Sequence, residues 1–142
     1  MIRLIFVGKT KEKFLKEGIL EFLKRMKNYA KVNVLEISDS NTEKEGKRIL
    51  ALLKDDYLIA MAIEGKEFSS EEFADFIKEN YPTQNISFVI GSQNGLSDEV
   101  LEKANKKISL SKMTFTHEMA RLILIEQIYR AFTILHGKSY HK

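Results

Sequence analysis

The sequence predicts an α/β fold, a mostly parallel sheet with helices on both faces, and three observations carry that prediction. Short apolar runs alternate with amphipathic stretches along all 142 residues. Two of the runs, Tyr57–Ile63 and Ile86–Ile90, are apolar at nearly every position, as strands covered on both faces must be. Helix-start signals recur between the runs, each a Ser or Thr with an acid three residues on or a Ser just ahead of one.

The elements follow in order. Ile2–Val7 is a first strand, and Lys11–Tyr29 a helix with Phe14, Ile19, Phe22, Leu23 and Met26 on one stripe. Val32–Ile37 is a strand. Thr42–Leu53 is a helix with Thr42 as its N-cap and Glu45 at capping-box spacing. After the Tyr57–Ile63 strand, Ser69–Asn80 forms a helix that opens with Ser69 and Glu72 and is stopped by Pro82. Ile86–Ile90 is a strand, Asp98–Ala104 a short helix capped by Ser97, and Lys107–Leu110 a strand. The last helix covers Thr116–His136 and ends before Gly137. In such sheets ligands bind at the carboxyl ends of the strands, so the loops after Ile63, Ile90 and Leu110 are the candidate site.

Residues 1–142 make one domain, long enough to bury roughly two thirds of the surface the unfolded chain exposes. The absence of cysteine excludes disulfides, thiolate metal sites and a cysteine nucleophile. The first apolar run is too short for a signal peptide, and none approaches the ~20 residues of a membrane span, so a cytoplasmic location is expected. Charge is uneven. Residues 101–142 hold eight Lys and Arg against three acids, although the whole chain is only +3. That basic end fits a polyanion-facing surface or a solvated helix face.

Gly8-Lys9-Thr10 is not a phosphate loop, because that motif needs a glycine where Arg3 stands. Gly91-Ser-Gln-Asn-Gly95 lacks the three-glycine spacing of a dinucleotide fingerprint. It is either a simple turn or a place where backbone approaches a ligand. Around Met113 and Phe115, backbone groups can read an adenine edge under apolar cover, or the two side chains plug the core. His117 opens the last helix, where the dipole favours neutral imidazole in a capping or a catalytic role. No His, Asp or Glu cluster has metal-ligand spacing, so no metal is expected. The last helix is apolar over more than one stripe, which favours a dimer face.

The ordered set Leu110-Ser-Lys-Met-Thr-Phe115, His117, Arg121, Glu126-Gln-Ile-Tyr-Arg-Ala-Phe132 and Tyr140-His141-Lys142 is the most specific part of the chain. With Val7-Gly-Lys and Ile63-Glu-Gly-Lys66, it resembles the RlmH family over essentially the whole length. These are SPOUT-class (α/β-knot) methyltransferases that modify a pseudouridine of large-subunit rRNA. The resemblance implies a deep C-terminal trefoil knot, an obligate homodimer and S-adenosylmethionine (SAM) as methyl donor. It implies cofactor contacts from Met61, Gly91, Leu110, Ser111, Lys112, Met113, Thr114 and Phe115. The implied substrate is N3 of a pseudouridine in the helix 69 loop of 23S rRNA, on the assembled ribosome. His117, Arg121, Tyr140, His141 and Lys142 are the substrate-side candidates, with no metal and no membrane partner. Three residues depart from the family pattern: Ser92 for a glycine, Thr116 for a proline and Met61 for a leucine. The first narrows the approach to the ligand and the second loosens its loop. A related methyltransferase of another RNA base, or a non-catalytic RNA-binding module, would share the same fold.

Overall fold

Strand alternation divides the interior into two cores. Ile2, Leu4 and Phe6 face one side of the sheet and Ile5 and Val7 the other, and Phe88 and Val89 divide in the same way. The structure is a computed structural model that describes residues 1–142. Its elements are β1 (Ile2–Val7), α1 (Lys13–Met26), β2 (Val32–Ile37), α2 (Thr42–Leu53), β3 (Tyr57–Glu67) and α3 (Ser70–Asn80), followed by β4 (Ile86–Ile90), α4 (Asp98–Lys103), β5 (Lys106–Ser109) and α5 (His117–Leu135). All paired strands are parallel, in the order β2-β1-β4-β3-β5. Helices α1, α3 and α5 cover the larger core, and α2 and α4 the smaller. The α/β sheet with helices on both faces is the one the sequence predicts.

Helix α5 is the spine of the larger core. Leu124, Ile125, Ile128, Ala131 and Phe132 are buried against the sheet, α1 and α3, and no residue of the helix is fully exposed. Much of the apolar excess expected for a partner is therefore used within the chain. Helix α1 buries Leu15, Ile19 and Met26, whereas Phe14, expected on the stripe, is 61% exposed. Ile19, Phe22, Leu23 and Met26 of the expected stripe do pack into the larger core, and Leu15 takes the first-turn place expected of Phe14.

Two local expectations change. Asn41, not Thr42, caps α2, accepting a hydrogen bond from the Lys44 amide at 2.9 Å. Asn is the stronger N-cap, and the shift lets Glu45 fold inward to accept the Ser40 amide at 2.8 Å. The β3 strand runs on to Glu67 instead of stopping at Ile63, past an irregularity described below. The Ser69/Glu72 capping box forms as expected, with bonds of 2.7 and 3.0 Å.

The cap assignment has a direct test in urea denaturation. Asn41→Ala should lower stability by about 1 kcal/mol, and Thr42→Ala should stay within about 0.5 kcal/mol of the parent. A larger loss at Thr42 would restore the cap to that residue.

Candidate active site

The site is built by three strand ends. Met61 and Lys66 both pair with Ile108, so residues 62–65 bulge out of the β3–β5 ladder. Gly65 sits where a Cβ would come within 2.7 Å of the Lys107 and Ile108 backbone, which only glycine allows. After β4 the chain folds back on itself. Gly95 donates to the Ser92 carbonyl at 2.9 Å with φ +82°, and a Cβ on Gly91 would strike the Gly95 carbonyl. After β5, Ser109 Oγ donates to the Ser111 carbonyl at 2.9 Å and Ser111 Oγ accepts the Met113 amide at 3.0 Å. Thr116 then caps α5 by accepting the Met119 amide at 3.1 Å. A cap therefore fixes this corner where a looser loop was expected.

These three segments enclose a cavity of about 370 Å³. Met61, Gly91, Leu110, Ser111, Met113, Thr114 and Phe115 line it, together with Ile63, Ser92 and His117; Lys112 does not. Met113 is 76% exposed and Phe115 36%, so they wall a cavity and do not plug the core. The amides of Thr114 and Phe115 have no acceptor within the chain and are available to a ligand. Backbone donors between apolar walls suit a flat heterocycle.

A second cavity of about 510 Å³ lies beyond β4, at the ends of β1 and β2. Only Val7 and Ile37 of its lining are apolar. Ser92, Gln93 and His117 line both cavities and form the wall between them. Burial lowers the His117 pKa from the ordinary histidine value, and the Arg121 charge adds to this against the opposing pull of Glu118. The ring is neutral near pH 7 and has an acceptor nitrogen.

Arg121, one turn along α5 from His117, does not face a ligand as expected. Its side chain has no exposed surface. It donates to the Val7 carbonyl at 2.7 Å and to Thr10 Oγ1 at 2.9 Å, lies 3.8 Å from Glu36, and its guanidinium stands 4.9 Å from the centre of the Phe6 ring. It positions the β1 end and is closed to substrate. The tail is also elsewhere. Tyr140 OH donates to Glu126 at 2.8 Å, His141 Nδ1 is 3.0 Å from Arg130, and His141 Nε2 is 2.7 Å from Glu71. Burial and then the Glu126 bond push the Tyr140 phenol up, so it is a donor and not a base. Lys142 is exposed at the chain end. At a rise of 1.5 Å per residue, Glu126 and Arg130 lie roughly 14–20 Å along α5 from His117. One chain does not bring its tail to its own cavity.

The polar cavity was missed from sequence because β1 and β2 are neighbours only in the folded sheet. Gly8-Lys9, Ser92-Gln-Asn94 and His117 all contribute to it, but nothing local in the sequence shows that they converge on one cavity. Of the acids that hold the tail, Glu126 opens the Glu126–Phe132 segment and is spaced to pair with Arg130, whereas Glu71 carries no motif. No group of three or more His, Asp or Glu residues is arranged to hold a metal ion. No helix is long and apolar enough to cross a membrane.

Residues 1–141 match the family model described as "Predicted SPOUT methyltransferase". The chain is 46% identical to a protein named ribosomal RNA large subunit methyltransferase H from Bacillus pumilus, covering 99% of each. It is 47% identical, with the same coverage, to the protein of that name from Carboxydothermus hydrogenoformans. Among solved structures, a probable methylase family protein from Haemophilus influenzae superposes with a TM-score of 0.62 at 15% identity, over 99% of this chain and 70% of that one. That likeness concerns the fold.

The state of His117 is measurable by following its ring resonances against pH. Half-protonation should fall below the ~6.5 of a free histidine, and Lys11→Gln, which removes a nearby cation, should move it upward. The unfolded chain then binds the proton more readily than the folded one. This histidine's share of stability is thus complete above the unfolded value and is lost as pH falls through the folded one. A midpoint above the free value would overturn the neutral assignment.

Proposed function

Because the chain belongs to the SPOUT methyltransferase family, we propose that it methylates N3 of a pseudouridine in the helix 69 loop of 23S rRNA, with SAM as donor. The proposed setting is the assembled ribosome in the cytoplasm, and the proposed form is a homodimer. The observation that carries the reading is the first cavity, because the residues implied as cofactor contacts converge on it from β3, β4 and β5. Large-subunit rRNA is the substrate named for relatives that match along the full length.

The donor set fits SAM. A cavity of about 370 Å³ lies within the ~300–1,000 Å³ of small-molecule sites. Free amides at Thr114 and Phe115 suit an adenine edge, and Met61, Ile63, Met113 and Phe115 suit its faces. Glycine at positions 65 and 91 lets strand and loop close around it. When bound, SAM would supply a sulfonium methyl that the attacking nitrogen takes in line as the neutral thioether, S-adenosylhomocysteine, leaves.

The protein's own part is placement and one proton. Holding nitrogen and methyl at near-attack distance is worth up to roughly 7–11 kcal/mol. N3 must lose its hydrogen, and neutral His117, on the wall between the cavities, is the acceptor within the chain. Arg121 keeps that wall in register.

Tyr140, His141 and Lys142 are assigned to the active site of a second copy, since their own α5 holds them too far from their own cavity. The apolar residues left exposed, Ile63, Met113 and Phe115 at the cavity and Phe14 and Leu20 on α1, support a covering partner. The sheet order is consistent with the implied knot, since the chain after β4 passes β3 to pair along its far side.

Two experiments test the reading. Purified protein is incubated with methyl-labelled SAM and ribosomes that contain or lack the helix 69 pseudouridines. Label should map to that loop only when pseudouridine is present, and label elsewhere, or none despite SAM binding, overturns the substrate. Deleting Tyr140–Lys142 should abolish transfer and leave SAM affinity near that of the full chain. Full activity after deletion would remove the tail from the site.

A further inference from the structure

We propose that the polar cavity at the ends of β1 and β2 seats the target nucleotide, its base against the shared wall and its phosphate at Lys9 and Lys11. The proposal rests on the methyl-transfer reading and adds where on this chain the substrate lies. Three observations carry it.

The first is adjacency. A base resting on Ser92, Gln93 and His117 is separated from the donor cavity by those side chains alone. Of two other hollows that share residues with the donor cavity, the one beneath Leu110 measures about 190 Å³ and is lined by no charged residue. The one that shares Leu96 sets a single lysine, Lys47, among Glu43, Asp98 and Glu99, and neither suits a phosphate. The polar cavity, at about 510 Å³, has room for a nucleotide.

The second is how the lining charges are used. Four carboxylates border the cavity, which at first sight disfavours an anion. Three are occupied by backbone amides. Glu36 accepts the Thr10 amide at 2.9 Å, Glu45 the Ser40 amide at 2.8 Å, and Glu118 the Lys11 and Glu12 amides at 2.8 and 3.0 Å. Burial pushes the Glu118 carboxyl up, but the Glu12 and Lys11 amides and the nearby Arg121 charge together bring its pKa below the usual value. Without side-chain partners are Lys9, Lys11, Asp39, Gln93, Asn94 and His117. Two free cations stand against one free anion, beside two carboxamides. Ammonium groups take phosphate, and carboxamides pair with the alternating N–H and C=O edge of a uracil-type base.

The third is preorganisation. Lys9 and Lys11 sit on a loop whose backbone is clamped by Glu36 and Glu118 and whose entry is tied to Arg121 through Val7 and Thr10. The lysine stems are free while their anchor points are fixed, so little loop entropy is lost on binding.

The test compares two charge-matched double variants. Lys9→Ala/Lys11→Ala removes the proposed phosphate contacts. Lys27→Ala/Lys31→Ala removes two lysines from a hollow at the amino end of β2. All four side chains lack partners in the fold, and circular dichroism checks that folding is retained. Binding to ribosomes is measured with S-adenosylhomocysteine present, across a salt series. The Lys9/Lys11 pair should bind about tenfold more weakly or worse, with a salt slope shallower by about one to two, while SAM affinity is unchanged. The Lys27/Lys31 pair should bind as the parent does. Parent-like affinity and slope for the Lys9/Lys11 pair, or equal weakening in both variants, overturns the proposal. Methyl transfer by the parent protein is scored separately. If it is absent while the Lys9/Lys11 binding loss is present, the reaction assignment fails and the nucleotide seat stands.

Discussion

The active end of the molecule depends on one buried cation. Arg121 leaves α5 in its second turn, crosses under the sheet edge and ends on the Val7 carbonyl, Thr10 and Glu36. Burying a guanidinium costs several kcal/mol, and here the cost is offset by two hydrogen bonds, a carboxylate and the face of Phe6. Desolvation lowers its pKa, yet an arginine remains charged throughout the physiological range. The consequence is geometric. The start of the last helix is locked to the end of the first strand, although the two are more than a hundred residues apart in sequence. His117 and the loop before it are fixed by that lock.

The carboxylates around the lock do related work. Helix α1 begins at Glu12 with no side-chain cap of its own, and Glu118, in the first turn of α5, accepts the amides there. Glu36 and Glu45 do the same for the neighbouring loops. Three of the four acids that line the polar cavity are thus loop anchors, and they leave Lys9, Lys11 and Asp39 as the charged side chains without partners. The anchored carboxylates keep their charge but are tied to loop amides, whereas the lysine stems are free to reach a ligand.

Much of this was legible in advance, for reasons that differ by element. The bounds of β1 and β4 follow from apolar runs between breakers, the pattern of strands buried on both faces. Those of β2 follow from an apolar run interrupted by Asn33 and Glu36, as fits a half-buried edge strand. The loops that wall the first cavity were legible because ligands in parallel sheets sit at strand ends. The continuation of β3 through Glu64, Gly65, Lys66 and Glu67 was not, since its pairing partner is β5 and no local propensity marks it. Thr42 was taken for a cap because the Thr–x–x–Glu spacing was present; the competing Asn41 won through a buried role for Glu45 that only tertiary contacts create. Arg121 enters the substrate-side set only through the family resemblance, and nothing local in the sequence marks it as buried until the strand that meets it is in place.

The placement of the tail leads to a last step. Helix α5 carries His117 at one end and, through Glu126 and Arg130, the tail toward the other, so the distance between them is set by the helix and no loop movement in a single chain closes it. The tail is also held where it stands, by Tyr140 against Tyr129 and by His141 between Arg130 and Glu71. On the proposed reading, in which the tail acts at a cavity, a second copy must supply it, because each chain's own α5 holds its tail away from its own cavity. A two-fold arrangement would then serve both sites at once, each cavity facing the other chain's tail. Dimerisation would be what assembles the proposed chemistry, each chain bringing a donor cavity to one site and a tail to the other.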